Sequence, residues 1–189
     1  MNRPEVGPNA IGRLADPLLR HAGREQARAI FASAGLEYAL AEPPKEMVPE
    51  QDAATLFAAV CGALAPADAE KVLQEAGRET ADYVMAHRIP APVRWLLPRL
   101  PRALAMRMLL QAIARHAWTF AGSGVCRTGA DRPAVIEIEN NPLATPGCPW
   151  HRAVFLQMMQ RLVATDVRVE HVSCCATGSH ICRFEIHQA

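Results

Sequence analysis

The sequence predicts an α+β fold in which an N-terminal helical layer packs on a small antiparallel four-stranded sheet, with a ligand pocket between them. Apolar residues recur at helical spacing through residues 1–122. Residues 123–189 instead contain two alternating runs, one helical segment and two further alternating runs, in that order. At 189 residues, the chain suits one compact domain that combines a helical part with a strand-strand-helix-strand-strand part.

The first two helices are predicted over residues 10–21 and 24–34. Asn9 can cap the first helix, Pro17 must bend or interrupt it, and Gly23 separates it from the second. Two further helices are expected over residues 50–64 and 66–88, after a proline-rich linker. The inward face of the third is predicted to hold Ala54, Phe57, Ala58 and Cys61. The small residues of the fourth, which would admit a closely packed neighbour, are Ala76, Gly77 and Ala81.

A fifth helix is predicted from Pro101 to Phe120, and its apolar residues cover most of its circumference. Such a helix should be central, packed by protein or by an apolar ligand over much of its surface. Its apolar positions are Ala103, Leu104, Met106, Met108, Leu109, Leu110, Ala112, Ile113 and Ala117. Nearby arginines could pair with acidic groups of a ligand or form a solvated face. They are Arg94, Arg99, Arg102 and Arg107.

The second part should begin with strands over residues 125–128 and 134–139, followed by a helix over 149–165. Two more alternating runs surround Gly178, which permits a turn, so residues 169–186 are predicted to form a β-hairpin.

Charge and hydropathy exclude several classes of protein. Twenty Lys and Arg nearly balance nineteen Asp and Glu, so no strong basic field indicates nucleic acid. No apolar run approaches the roughly 20 residues of a membrane span, and no secretory apolar segment follows Met1. We therefore expect a cytoplasmic protein whose six cysteines are mostly reduced.

Three cysteines in the last quarter of the chain form the main candidate site. The predicted hairpin makes Cys174 and Cys182 neighbours, and Cys148 precedes the connecting helix. Three thiolates with one nitrogen or oxygen would complete a closed, structural zinc site. The same residues are equally compatible with small, partly buried side chains of a sheet.

The fourth ligand of such a site is either His171 or Glu170. His171 is the obvious nitrogen ligand, but strict strand alternation places Glu170 on the face of Cys174. A bulge at residues 174–175 would remove that difficulty, so spacing alone leaves the choice open.

The order of residues Cys148, Cys174, Gly178, Cys182 and Phe184 resembles the hallmark of the 4-vinyl-reductase domain family, over residues 127–186. In related sensory modules, the position of His171 holds an acidic ligand, so this chain departs from the pattern at one ligand. Residues 7–13, the helical half and the overall length further resemble bacteriochlorophyll-biosynthesis proteins of purple photosynthetic bacteria. The resemblance implies a ligand-binding α+β domain with an apolar pocket, often dimeric.

The resemblance also implies a function in bacteriochlorophyll synthesis. The protein would bind a chlorophyll precursor (divinyl protochlorophyllide, chlorophyllide or a Mg-porphyrin) as a carrier or accessory to the biosynthetic enzymes. Alternatives are the 4-vinyl (8-vinyl) reductase itself, which converts a ring vinyl group to ethyl, and a small-molecule sensory module. The sequence contains no Gly-rich dinucleotide fingerprint and no four-cysteine iron–sulfur spacing, and it identifies no catalytic residue.

Candidate ligand-binding residues are His116, Trp118 and His151. An imidazole from either histidine could bind a magnesium tetrapyrrole axially, and an ordinary core or surface histidine is the competing interpretation. Met106 and Met108 could contact the macrocycle, although methionines more often fill a core.

Overall fold

Helices occupy the first two thirds of the chain and most of the strands lie in the last third, as the change of periodicity predicts. The computed structural model describes residues 3–188, so residues 1, 2 and 189 of the two predicted parts lie outside the described range. The helices are α1 (Asn9–Gly12), α2 (Ala15–Ser33), α3 (Glu50–Ala63), α4 (Pro66–His87), α5 (Ala91–Leu96), α6 (Arg102–Arg115), α7 (Trp118–Ala121) and α8 (Pro149–Leu162). The strands are β1 (Glu5–Val6), β2 (Val48–Pro49), β3 (Val125–Gly129), β4 (Ala134–Glu139), β5 (Arg168–Ser173) and β6 (Ile181–His187).

The N-terminal helices break at different positions from those predicted. The first break falls between α1 and α2, before Pro17, which occupies the third position of α2. A proline is tolerated there because the first-turn amides of a helix have no partner within it. Gly23 does interrupt the helix, with φ 80° and ψ 167°, but helical structure resumes directly after it.

Helix α3 turns a slightly different face inward from the one predicted. Its buried residues are Ala53, Leu56, Phe57 and Val60, whereas Ala58 is exposed and Ala54 and Cys61 are half-buried. The prediction followed the small residues, but the larger apolar side chains Leu56 and Val60 determine which face is buried, because burying them removes more apolar surface from water.

The close helix contact predicted for α4 is confirmed by its packing against α8. A Cβ added to Gly77 would lie 2.4 Å from the Trp150 carbonyl oxygen and 2.9 Å from the Ala153 Cβ. Only a residue without a side chain therefore fits between the two helix backbones at this point.

The predicted central helix is instead two surface helices, α6 and α7, which meet near His116. One face of α6 is buried through Met106, Leu109, Leu110 and Ile113. On the other face, Leu104 is 46% exposed and Met108 is 41% exposed. The prediction of burial around the helix was wrong because β3 and α8 contact α6 from one side only.

The four long strands form one antiparallel sheet in the order β3-β4-β6-β5. In β4, Ile136 and Ile138 are buried and alternate with the half-buried Glu137 and Glu139. Helix α8 connects β4 to β5 and lies between the sheet and α4. Its Phe155 ring meets the Phe184 ring of β6 edge to face, with ring centroids 5.2 Å apart. The α+β class and the order of strands and helix are therefore as predicted.

A small second sheet pairs β1 with β2, which the sequence did not reveal because each strand has only two residues. Among residues 3–188, no helix combines the length and the apolar character needed to cross a lipid bilayer.

Candidate functional site

Cys148, His171, Cys174 and Cys182 come together at one end of the sheet. The sulfur or nitrogen atoms that they offer all lie within 4.8 Å of one another. The Cys148 sulfur is 3.5 Å from that of Cys182 and 3.7 Å from that of Cys174. The three thiols are buried, and His171 is half-buried. Four residues from three separate segments thus converge on a single point.

Backbone turns hold two of these cysteines. Cys148 directly precedes α8 in the left-handed region, with φ 42°, and its amide donates to the Thr145 carbonyl over 2.8 Å. Cys174 follows β5 and starts a single 3₁₀ turn (Cys175–Thr177), which Gly178 ends with φ 96°. Because a left-handed conformation favours glycine, Gly178 lets the chain reverse directly into β6.

The third cysteine, Cys182, lies in β6 and faces Ile138 of the neighbouring strand. It is fully buried. Its position depends on the ladder of the sheet, whereas the other two cysteines depend on turns, so the cluster joins the sheet to the start of α8.

A β-bulge brings His171 to the cluster. His171 pairs with Phe184 and Ser173 pairs with Arg183, so Val172 is an extra residue in β5. The extra residue shifts the alternation, and the side chains of His171 and Cys174 then share a face. Val172 is correspondingly 50% exposed. The bulge lies before Cys174, rather than at residues 174–175.

Glu170, the alternative fourth ligand, lies outside the cluster. Its side chain is exposed, and its carboxylate is 3.7 Å from the His187 Nε2. The His171 ring instead stacks on Phe184, with centroids 4.8 Å apart, and its Nε2 is buried without a hydrogen-bond partner. A buried imidazole nitrogen beside three thiols is a ready metal ligand.

The spacing of the sulfur atoms suits a tetrahedral ion. Two thiolates bound to one zinc ion at about 2.3 Å stand about 3.8 Å apart, close to the 3.5 and 3.7 Å observed. A disulfide would require about 2 Å, and all six cysteines are free thiols. The cluster could therefore hold a metal ion.

Hydrogen bonds already favour a thiolate at Cys182. The hydrogen bond with Cys148 holds the pKa of Cys182 well below its ordinary value, against the opposing effect of burial. The Cys175 amide, 3.3 Å away, and the Asn141 side-chain amide, 3.5 Å away, act in the same direction. The same interaction with Cys182, together with burial, raises the pKa of the Cys148 thiol. A buried anion of this kind attracts a cation.

The candidate ligand-binding residues occupy different environments. His116 is exposed at the C-terminal end of α6, and Trp118 is 54% exposed at the start of α7. His151 is buried, and its Nε2 donates to the Phe120 carbonyl over 3.2 Å. Burial lowers the pKa of His151 to about 4, so its imidazole is neutral near pH 7. His116 and Trp118 are open to a ligand, whereas His151 is enclosed by protein.

Aromatic rings fill the interface between helices and sheet where a pocket was predicted. Phe155 packs edge to face on Phe120 at 5.5 Å and on Phe184 at 5.2 Å, and His151 lies among them. A shallow depression of about 210 Å³ adjoins the metal cluster, between His171 and Gly147. That volume is below the range of about 300–1,000 Å³ that is usual for small-molecule sites.

Sequence reasoning missed an exposed apolar region, which we call the α5–α6 surface. Its residues are Val93, Trp95, Leu96, Leu104 and Met108. The charge pattern could have indicated it, because no Asp or Glu occurs between Asp82 and Asp131 while seven arginines do. Such a stretch has no carboxylates to balance its cations.

Comparisons with known proteins agree with the resemblance seen in the sequence. The family model of the 4-vinyl-reductase domain matches residues 135–188. The chain is 41% identical over 187 residues to the bacteriochlorophyll synthase 23 kDa chain of Cereibacter sphaeroides, covering 96% of this chain and 89% of that protein. It is 36% identical over 191 residues to the protein of the same name from Rhodobacter capsulatus, covering 98% and 88%.

Solved structures with a similar fold are H-NOX proteins. One, from a study of heme distortion in the H-NOX family, has a TM-score of 0.58 at 14% identity and covers 94% of this chain and 90% of that chain. Another, from S. oneidensis in the Fe(II)NO ligation state, has a TM-score of 0.55 at 9% identity and covers 97% and 99%. At these identities the likeness concerns the fold alone.

Proposed function

This chain belongs to the family of the bacteriochlorophyll synthase 23 kDa chain, and we propose that it serves bacteriochlorophyll biosynthesis by binding a chlorophyll precursor. In this proposal the protein is a carrier or accessory that presents divinyl protochlorophyllide, chlorophyllide or a Mg-porphyrin to biosynthetic enzymes. The family relation supports the pathway. The H-NOX neighbours, described in terms of heme, support a tetrapyrrole as a ligand that this fold can accept.

The observation that carries pigment binding is the exposed pair His116 and Trp118 at the junction of α6 and α7. An exposed imidazole can bind a magnesium centre axially, and an exposed indole offers an apolar face to a macrocycle. Arg115 precedes His116 and could pair with a pigment carboxylate. His151 is less suited, because a pigment could reach it only after Phe120 and Phe155 moved apart.

The cluster of Cys148, His171, Cys174 and Cys182 is proposed to hold zinc. Three sulfur ligands and one imidazole favour this ion over hard cations, and tetrahedral coordination by four protein ligands is typical of structural sites. Zinc would lock the thiols as thiolates and fasten the β5–β6 hairpin to the start of α8. Such a site leaves no coordination position for a substrate, so its role is to stabilise the fold.

A reductase activity remains the alternative to a carrier. Reduction of a vinyl group requires a hydride or electron donor, which a cofactor must supply. The two functions differ in the product: a carrier returns the divinyl pigment unchanged, whereas the reductase yields the monovinyl pigment.

The test is titration of the purified protein with divinyl chlorophyllide, followed by absorption spectroscopy and pigment analysis. We expect a spectral shift at about one pigment per chain, with no monovinyl product when reduced nicotinamide or flavin is added. Replacing His116 by Ala should weaken binding about tenfold or more, because an axial ligand is lost. The control is His87→Ala, which removes an exposed histidine of α4.

Two results would overturn the proposal. Monovinyl product formed in the presence of a reductant would assign the reductase function instead. Equal affinity of the wild type, His116→Ala and Trp118→Ala would remove the junction of α6 and α7 as the pigment site.

A further inference from the structure

The α5–α6 surface concentrates apolar side chains on the outside of the protein. Five of the nine large apolar side chains exposed within residues 3–188 fall between Val93 and Met108, so their clustering requires an explanation. Trp95 is 62% exposed and Leu96 is 45% exposed, at the end of α5. A contiguous exposed patch of this kind usually marks a binding surface, whereas single exposed apolar residues do not.

The geometry of α6 places two of these residues at the centre of its outer face. Leu104 and Met108 are four residues apart and therefore neighbours on the helix surface. Met106, Leu109 and Ile113 lie on the opposite, buried face. Helix α6 is thus apolar on two sides, with one face in the core and the other lacking any partner among the described residues.

Arginines surround these apolar side chains. At 100° per residue, Arg115 projects between Leu104 and Met108, and Arg107 projects beside them. The Arg99 guanidinium lies over the Trp95 ring, 4.2 Å from its centroid. The region is strongly cationic, although the formal net charge of the whole chain is only +1.

Most of the positive charge here has no carboxylate beside it. Of the seven arginines between residues 83 and 130, Arg102 pairs with Asp166 and Arg127 pairs with Glu139. For the other five, no carboxylate of residues 3–188 lies within 4.0 Å. Their positive field is therefore available to an anionic partner.

We propose that the α5–α6 surface docks on the anionic surface of a lipid bilayer, with α6 lying in the plane of the interface. Leu104, Met108 and Trp95 would enter the boundary between headgroups and acyl chains. The arginines would meet lipid phosphates, since long cationic side chains extend their charge towards the interface. Each such cation near an anionic membrane strengthens attraction, and the effect is screened by salt.

The composition of the surface favours a membrane over a protein partner. Residues 93–108 contain only apolar residues, proline and arginine, without a single Ser, Thr, Asn, Gln, Asp or Glu. Protein interfaces carry a polar rim that forms about ten specific hydrogen bonds. An interfacial helix needs only apolar side chains, an aromatic anchor and cations, and this segment has all three.

The experiment is co-sedimentation of the full chain with lipid vesicles, without pigment. Vesicles of phosphatidylcholine mixed with phosphatidylglycerol should bind the protein, and pure phosphatidylcholine vesicles should bind it at least about tenfold more weakly. Raising the salt concentration should release the protein from the anionic vesicles. Because no pigment is present, this test can fail or succeed independently of the proposed pigment binding.

Two pairs of variants locate the contact. The double variant Leu104→Gln/Met108→Gln should lower vesicle affinity about tenfold or more, since two apolar side chains are removed from the interface. Its control is Tyr38→Gln, which alters a side chain that is 61% exposed elsewhere. Likewise, Arg107→Gln should weaken binding to anionic vesicles, whereas Arg24→Gln on α2 should not. All positions are exposed, and unchanged melting temperatures would show that the variants fold.

Three outcomes would overturn the proposal. One is equal binding to both vesicle types, or binding to neither at low salt. Another is binding to an acidic polypeptide, such as polyglutamate, without binding to vesicles, which would assign the surface to an acidic protein. The third is a dimer in light scattering that the Leu104→Gln/Met108→Gln variant abolishes, which would assign it to a second copy of this chain.

Discussion

Replacing Cys182 by Ser should destabilise the protein far more than replacing Cys61 by Ser. Cys182 is fully buried within the four-residue cluster, whereas Cys61 is half-buried on α3. With zinc about a thousandfold above its dissociation constant, binding contributes about 4 kcal/mol to the free energy of unfolding. Loss of one of four ligands should remove most of this contribution.

The magnitude separates a metal site from a cluster of thiols. Without metal, a Ser hydroxyl at residue 182 could still accept from the Cys175 amide and the Asn141 side chain, which donate to the sulfur at 3.3 and 3.5 Å. The substitution would then cost only about 1–2 kcal/mol. With metal, we expect a loss of about 4 kcal/mol, or about 8–16 °C in melting temperature for a chain of this size.

The assay combines thermal unfolding with elemental analysis. Wild type and Cys61→Ser should carry about one zinc per chain and melt within a few degrees of each other. Cys182→Ser should lose the zinc and melt at the temperature of chelator-treated wild type, and the chelator should not lower it further. A folded, zinc-free wild type, or equal melting temperatures for the two variants, would refute the reasoning.

Three further predictions rest on particular contacts. His171→Ala should lower zinc content in elemental analysis, whereas Glu170→Ala should not, because the Glu170 carboxylate lies outside the cluster. Gly77→Ala should lower the free energy of unfolding by about 2 kcal/mol in denaturant titration, since its Cβ would lie 2.4 Å from a backbone oxygen. Gly62→Ala, in open space on α3, should instead raise it by up to about 1 kcal/mol, and equal effects would contradict the packing argument. His151 has a pKa lowered from 6.5 to about 4 by burial, so the folded state binds its proton less readily than the unfolded state. Stability should therefore fall by about 3 kcal/mol as the pH drops from about 6.5 to 4, and His151→Gln should show a smaller fall in pH-dependent denaturation.

The fold class could be predicted because the apolar period changes from helical to alternating near residue 122. The orientation of α6 could not be predicted, since apolar residues on two faces do not reveal which face has a neighbour. Leu104 and Met108 look like core residues in the sequence, and only the one-sided packing on β3 and α8 exposes them. The exposed apolar face is consequently a property of the assembled structure.

The cysteines of the candidate site could be predicted from their order, but the fourth residue of the cluster could not. Strand alternation favoured Glu170, and the bulge at Val172 reverses that preference. An apolar Val172 gives no sign in the sequence that it faces outward. The energy that sets the bulge comes from long-range contacts, such as the stacking of His171 on Phe184, which local patterns do not contain.

The contact between Gly77 and the Trp150 carbonyl has a consequence for how this family can change in evolution. Helix α8 lies inside the family match at residues 135–188, yet its outer side is covered by α4, which lies outside that match. A gene fusion that transferred only residues 135–188 would leave that side of the helix without its cover. Recombination should therefore preserve α4 together with α8, so the heritable module is larger than the stretch of sequence by which it is recognised.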